Sequence, residues 1–394
     1  MSMPVEDVAR MPPDVWPPRL LPNEPRIPDP ARQAVLTASH LSPHLSALEA
    51  CLLTVRRQLD PELKRQQPVK LGKPYPLGQC LEIALAVQKR LRVVKEASLS
   101  GDAAVGLRAL RVFQRAGGDF RQVWGDLRGM YFQNAFQVGT LYVDVANDTV
   151  TPTKPKVEIL PFNEAQFIPI RDYRHFGQIT RIYWQHEVYP NHVLPELAPH
   201  CPLIFVSPDG QFRVQNATQY MLAMTRSKAF APSEEVLSEA PMPEGLFERI
   251  RRGLQESGYK LPQTPEHGRT LAMQNCRQQR AKRWHLEAGR VGRVIQEVMQ
   301  VNQLLARRHQ ATLTRNRPSQ EKPMPIIKID NVEYDFDTLS DDAKARLASI
   351  QFVDQELVRL QAQVAAMQNA RNAYVKALKA ALPVVAGGDT IKFS

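Results

Sequence analysis

Apolar residues in the C-terminal part of the chain recur at alternating intervals of three and four. The series starts at Ile350 and continues through Val353, Leu357, Leu360, Val364, Met367, Tyr374, Leu378 and Ala381. Arg371 occupies one position of the series. This spacing is typical of a coiled-coil seam, whose apolar positions pack against a partner helix. The pattern therefore predicts a long helix that is buried against another part of this chain or against a second copy.

Two short apolar runs precede this helix. Residues 326–329 and 332–336 are separated by Asp330-Asn331, which suits a two-residue turn. The pattern predicts a β-hairpin that leads into the coil.

Helical periodicity dominates residues 35–138. Ser42 and Pro43 fit the N-cap and first turn of a leucine-bearing helix, and Pro61 is expected to end it. Further helices are predicted over residues 77–97 and 102–115. Together these helices are expected to form one packed layer.

Period-two segments follow and predict a small, mostly antiparallel sheet. Its strands are expected at residues 141–145, 157–160, 179–184, 203–206 and 211–214. Asn216 is the candidate cap of a short helix, and another helix is predicted over residues 244–255. The predicted fold class is α+β: a helical layer with a small sheet, followed by a long-helix, coiled-coil appendage.

Composition divides the chain into six segments. They are a proline-rich extended arm (1–34), an α+β globular domain (35–262), a basic long helix (263–317), a linker (318–325), a hairpin plus coiled-coil helix (326–383) and a tail (384–394). Nine prolines fall within the first thirty residues, where Trp16 is the only large aromatic residue. The arm is either a disordered leader or a strap that docks through Trp16.

The overall composition is that of a globular protein, with 43% hydrophobic and 23% charged residues. The sequence contains neither a membrane-spanning apolar run nor a signal-peptide core, so we expect a cytoplasmic protein. Its four cysteines are widely spaced, which argues against a disulfide framework or a zinc site. Because the usual phosphate-binding glycine motifs are missing, no cofactor is predicted.

Positive charge is concentrated in one part of the chain. The net charge is +11, and residues 269–317 hold eleven basic residues against two glutamates. Five arginines near helical spacing are candidate anion-binding residues: Arg277, Arg280, Arg283, Arg290 and Arg293. They predict an acidic partner or nucleic acid, since phosphates attract such a stripe. The alternative is a solvated helix face or a set of internal ion pairs.

Residues 124–200 contain most of the remaining candidate chemistry. Aromatic residues, acidic turn residues and four of the nine histidines occur together here. Asp144 and Asp148 with His186 are candidates for acid–base catalysis or divalent-metal binding. The alternative is that the aspartates form turns and the histidine packs within the fold.

The segment IKIDNVEYDFDTLSDDAKARLASIQFVDQELVRLQAQVAAMQNARNAYVKAL, within residues 326–382, resembles a family of short, uncharacterised bacterial and phage proteins. These proteins consist of little more than this hairpin and helix. The resemblance implies a portable interaction module, and it covers no residue before 326. Its expected contact residues are Leu357, Leu360, Val364, Met367, Arg371 and Tyr374.

The sequence thus favours a non-enzymatic interaction or structural protein of bacterial or phage origin, which assembles through residues 326–383. The coil can pair with the basic helix or with a second copy. Two alternatives stay open: an enzyme with a pocket in residues 124–200, and nucleic-acid binding through residues 269–317.

Overall fold

The computed structural model describes residues 20–70, 72–216, 218–255 and 258–315, two strands at 326–329 and 332–335, and positions 340 and 343. The chain divides into two compact units, residues 1–318 and 319–394. The α+β fold class is confirmed. Trp16, the linker at 318–325, the coiled-coil seam and the tail lie outside the described residues.

Four helices form the first layer of the N-terminal unit. They are α1 (Pro30–His40), α2 (Leu45–Gln66), α3 (Cys80–Val93) and α4 (Gly101–Arg115), with a short ribbon of β1 (Val69–Lys70) and β2 (Lys73–Pro74) between α2 and α3. Their apolar sides meet in one hydrophobic core. Pro61 lies inside α2, so the prediction that it ends the helix was wrong. Leu59 and Leu63 still pack against the core on either side of the single backbone hydrogen bond that proline removes.

Helices α2 and α4 approach each other closely at Gly106. A Cβ atom at this position would lie 2.0 Å from the carbonyl oxygen of Ala47 and 2.7 Å from the backbone nitrogen of Leu48. Because real side chains do not approach backbone atoms this closely, the spacing of the two helices depends on glycine here.

Five antiparallel strands form the central sheet. They are β3 (Phe120–Leu127), β4 (Tyr131–Val138), β5 (Leu141–Asp144), β6 (Glu158–Pro161) and β7 (Phe167–Ile168), in the order β6-β5-β4-β3-β7. β3 and β4 pair along their whole length, from Phe120 opposite Val138 to Leu127 opposite Tyr131. The prediction that helices continue to residue 138 was therefore wrong.

Both faces of the β3–β4 hairpin are buried. Phe136 packs on the helical layer, whereas Phe132 packs on a second core formed with the later helices. Ala135 points to the opposite face and joins Val123 in a third core. Burial on both faces removes the polar–apolar alternation that identifies a half-exposed strand, which explains why the sequence pattern was misread.

Helix α1 fastens the ends of this hairpin. The Gln33 side chain donates a hydrogen bond to the carbonyl of Gly117 (3.4 Å) and accepts one from the backbone N–H of Asp119 (2.9 Å). The hydroxyl of Thr37 accepts a hydrogen bond from the backbone N–H of Thr140 (3.0 Å). Three backbone groups at the strand ends are thereby satisfied by side chains of one distant helix.

The segment before α1 runs along the central sheet. The backbone N–H of Trp124 donates a hydrogen bond to the carbonyl of Asn23 (2.7 Å). Pro30 opens α1, and the side chain of Asp29 caps it. The extended-arm prediction was therefore wrong for residues 30–34, because proline is well tolerated in the first turn of a helix.

The second half of the N-terminal unit combines short helices with a three-stranded sheet. The helices are α5 (Tyr173–Tyr183), α6 (Gln219–Ser227), α7 (Ala231–Leu237) and α8 (Glu244–Gly253), and the strands β8 (Glu187–Pro190), β9 (Leu203–Val206) and β10 (Phe212–Val214) are ordered β10-β9-β8. The β9–β10 hairpin and the helix at α8 are confirmed. The strand predicted at 179–184 was wrong, since Asp172 caps a helix over this stretch. Thr218, and not Asn216, caps α6.

The basic region consists of two helices, α9 (Pro265–Ala281) and α10 (Ala288–Arg315), so the prediction of one long helix at 263–317 was wrong. Arg283 adopts a left-handed conformation (φ 56°) and a short 3-10 turn, Trp284–Leu286, follows. The compact unit includes both helices, which extends the predicted globular domain beyond residue 262.

The apolar side of α10 is buried within the N-terminal unit. Val294, Val298, Val301 and Leu305 lie in a core with side chains of β10 and α8. The Asn302 side chain accepts a hydrogen bond from the backbone N–H of Val214 (2.8 Å) and donates one to its carbonyl (2.9 Å). Asn302 therefore satisfies two backbone groups on the outer edge of β10, where a further strand would otherwise pair.

The C-terminal unit contains the predicted hairpin. β11 (Ile326–Ile329) and β12 (Val332–Asp335) are antiparallel, with Ile327 opposite Tyr334 and Ile329 opposite Val332. The two paired strands of the hairpin are confirmed, and Asp330-Asn331 lies outside the described residues.

Substituting Gly106 with alanine should lower the free energy of unfolding by at least about 2 kcal/mol, because the new methyl group meets the backbone of α2. Gly292 of α10 has open space around it. Gly292→Ala should therefore raise stability by up to about 1 kcal/mol through helix propensity. Urea denaturation of both variants measures the difference, and equal effects would contradict the close contact.

Candidate functional site

Asp144 is fully buried at the end of β5. Its Oδ2 atom accepts hydrogen bonds from the Gln133 amide (2.6 Å) and the Tyr142 hydroxyl (3.0 Å), and its Oδ1 atom accepts one from the backbone N–H of Ala146 (2.7 Å). Burial raises the pKa of this carboxyl to about 6, and outweighs the three donors that lower it. Because these donors all come from the fold itself, they hold the carboxyl group as part of the turn after β5.

Asp148 belongs to a charged network that joins this turn to α2. Its carboxylate lies 3.5 Å from the Arg56 guanidinium and 3.1 Å from the Lys156 ammonium. The same two cations contact Asp60, at 3.2 Å and 3.0 Å, and Asp60 also accepts a hydrogen bond from the Tyr75 hydroxyl (2.6 Å). Two cations and two anions balance each other, and Arg56 is fully buried.

His186 lies in a different environment, next to aromatic side chains. Its ring centre is 6.0 Å from that of Trp184 and 6.2 Å from that of Phe205. Burial, followed by the charge of Arg213, lowers the pKa of His186. Within the described part of the chain, no hydrogen bond, ion pair or ring contact joins His186 to Asp144 or Asp148. The three candidates are therefore not brought together by direct contacts.

His175 and Asp126 form a buried pair that the sequence pattern did not predict. The His175 Nε2 atom lies 3.0 Å from Asp126 Oδ2, and His175 Nδ1 accepts a hydrogen bond from the backbone N–H of Arg171 (3.3 Å). Since Nδ1 is an acceptor, Nε2 carries the proton and donates to the carboxylate. Both ring nitrogens of His175 are hydrogen-bonded, and the pair links α5 to β3.

The five candidate arginines lie in α9 (Arg277 and Arg280), in α10 (Arg290 and Arg293) and between the two helices (Arg283), and they differ in their contacts. Arg280 pairs with Glu234 and also donates to the carbonyl of Ala229 (2.8 Å). Arg293 pairs with Glu287 at 2.7 Å. Arg290 lies over the ring of Trp284, and Arg277 and Arg283 are exposed. The stripe expected on one continuous helix is therefore interrupted, and part of its charge is used in internal contacts.

A small cleft between α9, α10 and the loop after β8 brings together residues that are far apart in sequence. It has a volume of about 60 Å³ and is lined by Glu196, Leu197, His200, Gln279, Arg290, Arg293, Val294 and Glu297. His200 and Gln279 are buried, and His200 Nε2 and Gln279 Oε1 have no hydrogen-bond partner among the residues that the structure describes. No local motif links these positions, so sequence reasoning alone could not have grouped them.

The electrostatics of the cleft make His200 a weak base. Burial, reinforced by Arg290 and Arg226, lowers the pKa of His200 to about 4. A general base is most effective when its pKa is close to the pH of the reaction. A histidine with a pKa of about 4 is therefore a weak base at pH 7. The arginines that line the cleft offer positively charged hydrogen-bond donors, and the glutamates offer negatively charged acceptors.

Searches against protein-family models, curated proteins and solved structures give no match to this chain. Among the described residues, no group of three or more histidine, cysteine or carboxylate side chains is arranged to hold a metal ion. No helix in the described ranges is long and apolar enough to cross a membrane. Function is therefore argued from the geometry of this chain.

Asp148→Asn should lower the free energy of unfolding by roughly 3 kcal/mol, because it removes one anion from the buried Arg56. The control is Glu235→Gln, which breaks the exposed pair with Arg174 and should change stability by less than about 1 kcal/mol. Urea denaturation at pH 7 compares the two variants. An Asp148→Asn protein as stable as the parent would contradict a structural role for the network.

His200 should contribute to acid sensitivity. Its pKa is about 4 in the folded protein against 6.5 for an unperturbed histidine, so the unfolded chain binds more protons between these values. Stability should therefore fall as the pH drops from 6.5 to 4, by about 3 kcal/mol from this group alone. His200→Gln should show a shallower pH dependence of unfolding, whereas the control His44→Gln, at an exposed position, should retain the slope of the parent. Identical slopes in all three proteins would contradict the assignment.

Proposed function

We propose that this chain is a non-enzymatic interaction protein that assembles with a second copy through its C-terminal module, residues 326–383. The N-terminal unit would act as the folded body that the module joins to a neighbouring chain. The seam that would carry the contact consists of Leu357, Leu360, Val364, Met367 and Tyr374.

The observation that carries this proposal concerns α10. The sequence left two partners open for the seam: the basic helix of the same chain, or a second copy. The apolar residues of α10, including Val298 and Leu305, are already buried against β10 and α8. A coiled coil needs an exposed apolar seam on both helices, and the apolar side of α10 is already covered. This occupation supports pairing between chains.

The hairpin gives independent support. β11 and β12 form a two-stranded sheet within the unit that comprises residues 319–394. A two-stranded hairpin is at best marginally stable in water unless further strands or a helix cover it. A module built on this hairpin therefore gains stability from a covering helix or from a partner surface. The resemblance to short hairpin-and-helix proteins implies a portable interaction module.

The alternatives receive less support from the described residues. Asp144 and Asp148 are held by donors and cations of the fold, and within the described ranges no hydrogen bond, ion pair or ring contact joins His186 to either. For nucleic-acid binding, Trp284 was the one aromatic residue of the basic region available for base stacking. Its ring is approached by Arg290 and Lys282.

Replacing Leu360 and Met367 with aspartate in the full chain should reduce the oligomeric mass measured by light scattering to that of a single chain. Each change puts a charge at an apolar seam position, which opposes helix pairing. The matched control is Gln361→Asp with Gln368→Asp, which adds the same charge to the same helix outside the seam.

The control pair should leave the oligomeric mass unchanged. A parent protein that is monomeric at all concentrations, or a loss of mass that is equal in both double variants, would refute assembly through the seam.

A further inference from the structure

A second basic region lies in the helical layer, far from residues 269–317. Between residues 64 and 95 the sequence contains eight lysine and arginine residues and one glutamate. The region comprises the end of α2, the β1–β2 ribbon and α3. Its charge is dispersed along the sequence among apolar residues, which conceals it until the elements are folded together.

Helix α3 exposes apolar and basic side chains on the same side. Its buried residues are Ile83, Ala84, Val87 and Leu91. At 3.6 residues per turn, the outward positions fall within about one third of the helix circumference, opposite this buried side. They include Leu81, Leu85, Lys89, Arg92 and Val93. Leu81, Leu85 and Val93 are 41%, 47% and 67% exposed, which is unusual for three aliphatic residues on one short helix.

The β1–β2 ribbon extends this surface. The Lys70 ammonium lies 2.6 Å from the Glu82 carboxylate, so the ribbon is fastened to the outward side of α3. Val69, beside Lys70, is 56% exposed. We name the outward side of α3 together with the ribbon the α3 face.

The charge of the α3 face is unbalanced. Three of its basic residues have no ion-pair partner among the described residues: Lys73, Lys89 and Arg92. The same is true of Arg90 and Lys95, which are exposed beside the face. The two glutamates nearby are already paired, Glu82 with Lys70 and Glu96 with Arg108. Arg111 of α4 donates to the carbonyl of Val94 and adds a further cation at the same end.

We propose that the α3 face binds the surface of an anionic phospholipid membrane. Lysine and arginine would contact the negatively charged headgroups, and the aliphatic residues between them would enter the headgroup boundary. The side chains at this face combine the two chemistries that peripheral membrane attachment requires: unpaired positive charge and exposed aliphatic carbon.

Other partners fit this face less well. Nucleic acid would gain from the cations, but the outward positions offer leucine and valine where aromatic side chains would stack on bases. An acidic protein would need a groove that receives a helix about 20 Å long. A bilayer needs only a ridge that carries both kinds of side chain.

The experiment is co-sedimentation of the full chain with vesicles of phosphatidylcholine, with and without phosphatidylserine. The parent should bind only the vesicles that contain phosphatidylserine, and less tightly as salt rises. Lys89→Gln with Arg92→Gln should weaken the partition coefficient about thirty-fold. Leu81→Ala with Leu85→Ala should weaken it at least about tenfold, since less apolar carbon enters the membrane. All four positions are exposed, so melting temperatures should match that of the parent.

The matched control is Arg277→Gln with Arg283→Gln, which removes two exposed charges from the other basic region. These changes should leave vesicle binding within about twofold of the parent, because their charges lie outside the α3 face. An equal loss in this control, equal binding to uncharged vesicles, or no binding to either vesicle would overturn the proposal. Binding to polyglutamate without binding to vesicles would identify the face as a site for an acidic protein instead.

Discussion

The fold depends on burying the β3–β4 hairpin on both faces. Its eight paired positions carry side chains into three separate hydrophobic cores, so the helical layer, the later helices and the third core share one element. Neither face can be left to solvent, and each neighbour must supply apolar surface of matching extent. The helical layer and α5 are positioned by covering this hairpin, whereas α8 and α10 pack in a separate core with β10.

Burial of the sheet also explains why its polar side chains are hydrogen-bonded to neighbours within the fold. Gln133, Gln137 and Asp144 lie inside, and an unpaired polar group there would cost about 1–3 kcal/mol. Each is satisfied by a neighbour within the fold, as when the Gln133 amide donates to Asp144. Asp144, which suggested catalysis in the sequence, thus has a structural role: its carboxylate accepts a hydrogen bond from a backbone N–H of the buried turn, which would otherwise lack a partner. The same reasoning applies to His175, which donates to Asp126 across the boundary between α5 and β3.

Periodicity in the sequence predicted the amphipathic helices α2, α3 and α4, although α3 leaves Leu81 and Leu85 exposed. The β9–β10 hairpin was predicted from its turn residues, since every residue of β9 is buried. Periodicity failed for β3 and β4, which have no polar side, and for α5, whose aromatic and β-branched residues also suit a strand. The cleft around His200 could not be predicted, since Gln279 and Arg290 meet it only through tertiary packing. The α3 face was missed because its lysines and arginines are interspersed with leucines and valines, whose exposure becomes visible only in the folded structure.

The contacts of α1 have a consequence for the order in which the chain becomes structured during synthesis. The partners of Gln33 lie 84 and 86 residues later in the chain, and that of Thr37 lies 103 residues later. A ribosome that has just released α1 has not yet made any of these partners, and closing such long loops is slow. Helices α1 to α4 must therefore wait, with their shared apolar sides incompletely covered, until β4 and the Gly139–Thr140 turn have emerged. Chaperone binding in this interval would protect the nascent chain at the stage when its largest core is still open.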